Sequence, residues 1–271
     1  MKRKSWLKRL ISGMFIIMLV IPGWLMAQQN NPAQQKTQKE DSAKFYINKG
    51  NMLRQQRRFE EALKAFANAR NFQPSNEGAI IGQRSVYYEM GRTDDGLKVL
   101  DEWVKIEPKN TKAWLYIAFD QAEMGNPEKS LNAFDMLIEL QPDSLSNWIG
   151  RAQVLLMLKR YNEALKSAEK AISKELKAEP VTLFLKSYSL AKLGKYEEAL
   201  TAINKAIALS PKSSEGIYNR ACIYSLKGDK TNALSDLKKA IEMNPSLKER
   251  SRRDEDFKSL YNDVDFKKLT E

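Results

Sequence analysis

The chain of 271 residues contains no histidine and a single cysteine, Cys222. Without histidine there is no Ser-His or Cys-His nucleophile arrangement, and the commonest zinc ligand is missing. With one cysteine there is no internal disulfide. Strand patterning is scarce too, since no stretch sustains the period-two alternation of a half-buried strand. Long apolar runs are confined to one place, Leu10 to Ala27, which carries no charge. Hydrophobic residues make up 42% of the chain, a little under the roughly 45–50% usual for globular domains, so a buried core is feasible and a membrane bundle is not implied.

That single apolar run has a recognisable setting. Lys2, Arg3, Lys4, Lys8 and Arg9 precede "LISGMFIIMLV" and "IPGWLMA", and the polar "QQNN" follows. This is the layout of a secretory signal peptide over 1–27, cleaved after Ala27, and it predicts export to the periplasm or cell envelope. The alternative is a membrane anchor formed by uncleaved residues 10–27, since a span needs about 20 residues. Pro22 and Gly23 favour cleavage because they break helices. Losing 1–27 removes five basic side chains and lowers the net charge from +11 to +6, so part of the basicity belongs to targeting. Residues 28–42, "QQNNPAQQKTQKEDS", lack the apolar residues to build a core and read as a disordered Gln/Asn-rich linker.

Beyond residue 42 the chain repeats itself. "FEEALKAFANARNFQP" from Phe59 returns as "YEEALTAINKAIALSP" from Tyr196, and prolines fall at 74, 108 and 142, then at 211 and 245, at intervals of 34. Six copies result: 43–76, 77–110, 111–144, 145–179, 180–213 and 214–247, with one inserted residue ending the fourth, where "SKELKAEP" replaces the periodic proline. Phe59, Ala62, Leu63, Phe66 and Ala69 lie on one helical face, as do Tyr196, Ala199, Leu200, Ile203 and Ala206. Gly91, Gly125, Gly194 and Gly228 recur where a chain leaves a helix through the left-handed conformation. At the eighth position stand Gly50, Arg84, Ala118, Ala152, Ser187 and Ala221; at the twentieth, Ala62, Gly96, Ser130, Ala164, Ala199 and Ala233. Small residues there let two helices approach closely. Arg84 departs from this, and moving its helix by one residue would put Ile81, Ser85 and Tyr88 on the pattern instead.

These features resemble the tetratricopeptide repeat family, whose 34-residue helix-turn-helix follows W-x2-L-G-x2-Y, then A-x3-F, then P. The resemblance covers 43–247 and implies an all-α, right-handed superhelical solenoid of six repeats. The tail 248–271 repeats Asp256, Phe257 and Leu260 as Asp265, Phe266 and Leu269, which predicts two short helices capping the final apolar face. The resemblance also places a partner-binding groove on the first helices. Carried onto this chain it comprises Leu115, Tyr116 and Phe119, then Ile149 and Gln153, then Phe184, Leu185 and Tyr188, then Tyr218 and Asn219, with Cys222 beside them as the structural cysteine of "YNRACIY". Some relatives clamp a C-terminal carboxylate; of those positions Asn51 and Lys112 match, whereas Ile47, Gly82 and Tyr116 do not.

Other constellations have structural explanations. "GNPEKS" at 125–130 lacks the second glycine of a phosphate loop and follows a helix. The acidic pairs Glu60–Glu61, Asp94–Asp95 and Glu197–Glu198 open helices, where the dipole favours carboxylates. Lys248, Arg250, Arg252 and Arg253 read as a solvated helix end. The sequence therefore points to no catalytic residue, cofactor or metal. It points to a non-catalytic scaffold for a protein or peptide segment, without nucleic acid, touching a membrane only through an uncleaved 10–27. The alternative is an adaptor held to anionic lipid or polymer by its basic residues.

Overall fold

A computed structural model describes residues 32–173 and 179–271. The expected signal peptide 1–27, residues 28–31 and residues 174–178 of "SKELKAEP" lie outside the described residues. Among those described, every regular element is a helix, and none is long and apolar enough to cross a membrane. The chain divides into two compact units after Pro108. The first holds α1 (Pro32–Gln55), α2 (Phe59–Phe72), α3 (Glu77–Glu89) and α4 (Thr93–Ile106). The second holds α5 (Thr111–Glu123), α6 (Pro127–Leu140), α7 (Leu145–Met157), α8 (Tyr161–Ser173), α9 (Pro180–Lys192), α10 (Tyr196–Leu209), α11 (Ser214–Lys227) and α12 (Lys230–Met243). It ends in α13 (Leu247–Ser251), a 3-10 turn over Glu255–Leu260 and α14 (Val264–Thr270). Within each unit the helices pack as successive antiparallel hairpins.

The first helix corrects the expected linker. Residues 32–42 are helical, continuous with the first repeat, although 32–41 are exposed. Pro32 stands at the first helical position, where its missing N–H costs nothing, and the Gln, Lys, Glu and Ala that follow are strong helix formers. Too few apolar residues preclude a core there, but they do not preclude a helix.

Six turns share one backbone solution. The fifteenth residue of every copy has positive φ: Gly91, Gly125, Gly194 and Gly228 at 71–84°, and Arg57 and Lys159 at 59° and 57°. Side-chain caps then start several helices in phase, with Asn76 accepting from Ala79 N–H, Asn110 from Ala113 N–H and Ser213 from Gly216 N–H. Those caps fix α3 in the unshifted register, so Arg84 does occupy the eighth position. Gly96 makes room for it: a Cβ on Gly96 would sit 3.6 Å from the Arg84 carbonyl oxygen. The guanidinium turns outward over the Tyr88 ring at 4.6 Å.

Elsewhere rings fill the space that glycines leave. A Cβ on Gly50 would lie 2.7 Å from Phe66 and one on Gly82 only 2.3 Å, so the fully buried Phe66 is held between α1 and α3. This also explains why the clamp position at 82 carries no side chain. In the second unit Phe134 packs likewise on Gly150, with 2.2 Å to a notional Cβ.

Polar clips join successive hairpins through the seventh position of the second, fourth, fifth and sixth copies. Arg151 on α7 donates to Asp135 on α6 at 2.6 Å and to Ser167 on α8 at 2.8 Å. Lys186 on α9 reaches back to Glu169 on α8 at 3.0 Å. Arg220 on α11 forks onto Asp236 on α12 at 2.6 and 2.9 Å and donates to Asn204 on α10 at 2.8 Å. In the first unit the direction reverses, with Arg70 on α2 donating to Gln83 on α3 and Glu102 on α4.

Candidate functional site

The chemistry suggested by isolated motifs resolves into structure. Gly125 of "GNPEKS" is a left-handed turn residue, and the buried Ser130 hydroxyl donates to the Ala118 carbonyl at 2.6 Å. Glu61 is bonded by Arg58, and Asp95 by Lys98 and Arg92, which holds both carboxyls below their ordinary range. Burial pushes the Cys222 thiol well up, reinforced by the charges of Asp254 and Asp256, so the thiol stays protonated and unreactive.

The groove residues all belong to the second unit. Leu115, Tyr116 and Phe119 lie on α5, and Phe119 is 53% exposed with its ring edge-on to Phe134 at 5.9 Å. On α7, Ile149 packs against Ala152, Ala168 and Leu185, while Gln153 points to solvent. On α9, Phe184 and Tyr188 are half-buried and Leu185 is buried. Helix α9 touches both α7 and α11, so these first helices form one face.

A cavity of about 260 Å³ opens where α9 and α11 meet the tail. Phe184, Leu185, Tyr188, Asn219 and Cys222 line it together with Leu156 and Val181. The tail supplies Arg250, Asp254 and Asp256. Of the expected groove, the structure gathers Phe184, Leu185, Tyr188 and Asn219 around one space; Leu115, Tyr116, Phe119, Ile149 and Gln153 lie outside it.

Tyr218 is the clear departure from a groove lining. It is fully buried, its ring lies 5.6 Å from Phe257, and its hydroxyl donates to Asp254 Oδ2 at 2.7 Å. The Arg250 guanidinium covers the ring at 4.5 Å and pairs with Glu215 at 2.7 Å. The apolar face therefore closes at the sixth copy, because the tail folds onto it. Phe257 and Phe266 enter the same core as Ile217, Leu237 and Leu247. One of the two expected short helices is a 3-10 turn, and a third element, α13, precedes it. Arg250 thus packs over the Tyr218 ring while about half of its side chain stays accessible, and Arg252 and Arg253 are exposed too.

Sequence reading missed the tail's contribution to the cavity, although a signal existed. Asp254 and Asp263, also nine residues apart, cap the two tail elements by accepting from the N–H groups of Asp256 and Asp265. Behind Asp254, the buried Asp256 binds Lys192 of α9. Burial works against the Lys192 ammonium, but the hydrogen bond and charge of Asp256 outweigh it and raise its pKa. Lys192 also lies 5.2 Å from the centre of the Tyr188 ring. Burial beside Asp256 pushes the Tyr188 phenol up to about 12.

Comparison with known proteins returns one family. Tetratricopeptide repeat models match residues 43–76, 120–180, 180–213 and 214–247. The chain is 34% identical over 99 residues to a DnaJ homolog subfamily C member 3 homolog of Dictyostelium discoideum, covering 35% of this chain and 20% of that protein. It is 43% identical over 53 residues to a tetratricopeptide repeat protein 36 homolog of Nematostella vectensis, covering 20% and 29%. The chain thus spans under a third of the length of these curated relatives. Among solved structures, a tetratricopeptide repeat protein from Parabacteroides merdae superposes with a TM-score of 0.64 at 19% identity, covering 85% of this chain and 98% of that one. PilF of Pseudomonas aeruginosa gives 0.58 at 14%, covering 82% and 97%. At such identities the structural matches establish the fold alone.

Proposed function

Because the chain belongs to the tetratricopeptide repeat family, we propose that it is a non-catalytic scaffold that holds a segment of a protein partner against the face built by α5, α7, α9 and α11. One observation carries this reading: aromatic side chains on that face, Phe119, Phe184 and Tyr188, stay partly open to solvent at the edge of the core. Large aromatic rings so placed supply contact area at little cost in side-chain entropy, as binding anchors do. The absence of histidine and the protonated state of the lone thiol favour a binding role over a catalytic one. The basic n-region and the apolar run 10–27 favour work in the cell envelope, in the periplasm or at its membrane.

The test begins with crosslinking of the full chain in an envelope fraction, followed by mass spectrometry of what is captured. In titrations with that partner, Phe119→Ala, Phe184→Ala and Tyr188→Ala should each weaken binding by more than about 1 kcal/mol. Changing the exposed Arg252 and Arg253 together to Ala should matter little. Attachment to an anionic surface through basic residues predicts the reverse, with affinity collapsing as salt rises. Aromatic variants that keep both fold and full affinity overturn the groove reading.

A further inference from the structure

Resting on the groove reading, we propose that the cavity between α9, α11 and the tail is a specificity pocket for one basic side chain of the partner, with Asp254 as its counter-charge. The size argues for a side chain: about 260 Å³ lies below the roughly 300–1,000 Å³ of a small-molecule site. Its walls suit a long cationic side chain, whose apolar stem or planar head can lie along Phe184 and Tyr188. Phe184 reaches across to α11, its ring tip 3.3 Å from where a Cβ on Gly216 would stand.

The charge argues for a cation. The ionised groups in and behind the wall are Asp254, Asp256 and Glu215 against Lys192 and Arg250, one net negative charge in a chain of formal net charge +11. Asp256 is matched by Lys192 and Arg250 by Glu215. Asp254 has neutral donors as its hydrogen-bond partners: the Tyr218 hydroxyl on Oδ2 and the Asp256 N–H on Oδ1. A carboxylate offers about four acceptor sites, so two of its lone pairs can receive a guanidinium or ammonium. Asn219 adds a polar group to the lining. An acidic or purely apolar anchor would leave the Asp254 charge repelled or desolvated, at a cost in affinity.

The test pans a random linear peptide library against the immobilised full chain and against Asp254→Asn. Asparagine keeps one oxygen to accept from the Asp256 N–H, and its amide N–H can donate to the Tyr218 hydroxyl in place of the bond that hydroxyl now makes; equal melting temperatures establish that the tail still packs. The expected result is wild-type enrichment of Arg or Lys at one fixed position beside apolar residues. Asp254→Asn should lower that preference about tenfold while keeping the apolar neighbours. Arg250→Gln, which removes a nearby cation, should sharpen the basic preference. Should Asp254→Asn fail to fold, Arg250→Gln decides, and an unchanged preference there overturns the proposal. Enriched peptides without a basic position, or equally basic with Asp254→Asn, overturn the pocket and leave the groove reading standing. Enrichment that vanishes with neither variant but survives Phe184→Ala and Tyr188→Ala overturns both.

Discussion

Replacing Gly150 by alanine separates two opposed effects on one helix. Gly150 lies inside α7, where helix propensity alone makes alanine better by about 1 kcal/mol. The structure predicts the opposite sign. The new Cβ would lie 2.2 and 2.3 Å from two Phe134 ring carbons, against a normal carbon–carbon separation of about 3.5–4.0 Å. The ring must retreat by more than about 1 Å, through contacts in which Phe134 is 2% exposed. Overpacking of this kind costs about 1–3 kcal/mol, and since the steric term is at its upper end here the net loss should be about 1–2 kcal/mol. Urea unfolding followed by far-ultraviolet circular dichroism measures it, with the m-value checked because repeat arrays can unfold in stages. Phe134→Leu combined with Gly150→Ala should recover part of the loss, a favourable coupling above about 0.5 kcal/mol. A higher urea midpoint for Gly150→Ala would show that the ring relaxes freely and would refute the close-packing account.

Lys159 holds a left-handed turn without being glycine, so Lys159→Gly should stabilise by about 0.5–1 kcal/mol, the left-handed penalty less the unfolded-chain entropy of glycine; an unchanged or lower melting temperature contradicts this. Tyr188, raised from 10 to about 12, contributes stability that is intact below pH 10 and lost as pH rises through about 12. The Lys192 shift acts in the same direction. Melting temperature should therefore fall across that window and fall less in Tyr188→Phe, and parallel profiles for the two proteins would exclude Tyr188 as the cause. Truncation after Leu247 removes Phe257 and Phe266 from the terminal core, so the shortened chain should bind a hydrophobic dye and aggregate; a dye-silent monomer with unchanged melting removes the capping role.

The repeat was legible in the sequence because it is a consequence of short-range chemistry. Glycine at the fifteenth position, small residues at the eighth and twentieth, and Asn or Ser caps all act within one hairpin. Arg57 and Lys159 adopt the same turn without announcing it, because a strained φ can be enforced by the helices on either side. The helix over 32–42 is not legible from hydrophobicity, because a stretch too polar for a core can still consist of strong helix formers. The candidate site was half legible. Phe184 and Tyr188 follow from phase alone, but Asp254 reaches them only through the fold of the tail, and Tyr218 is removed by the same contact, 36 residues on in the chain. No local pattern encodes a contact at that range.

The clips at the seventh position make neighbouring hairpins share ownership of their bonds. Arg220 belongs to α11, yet its three bonds end on α10 and α12; Arg151 likewise serves α6 and α8 from α7. If one hairpin opens, its neighbour is left with a stranded charge as well as a bared apolar face, so the opening penalty is levied twice. Within 109–271 the repeats are therefore links in a zipper whose teeth interlock with the next pair, and a binding event that steadies α9 also steadies the hairpins to which its clips and packed neighbours belong.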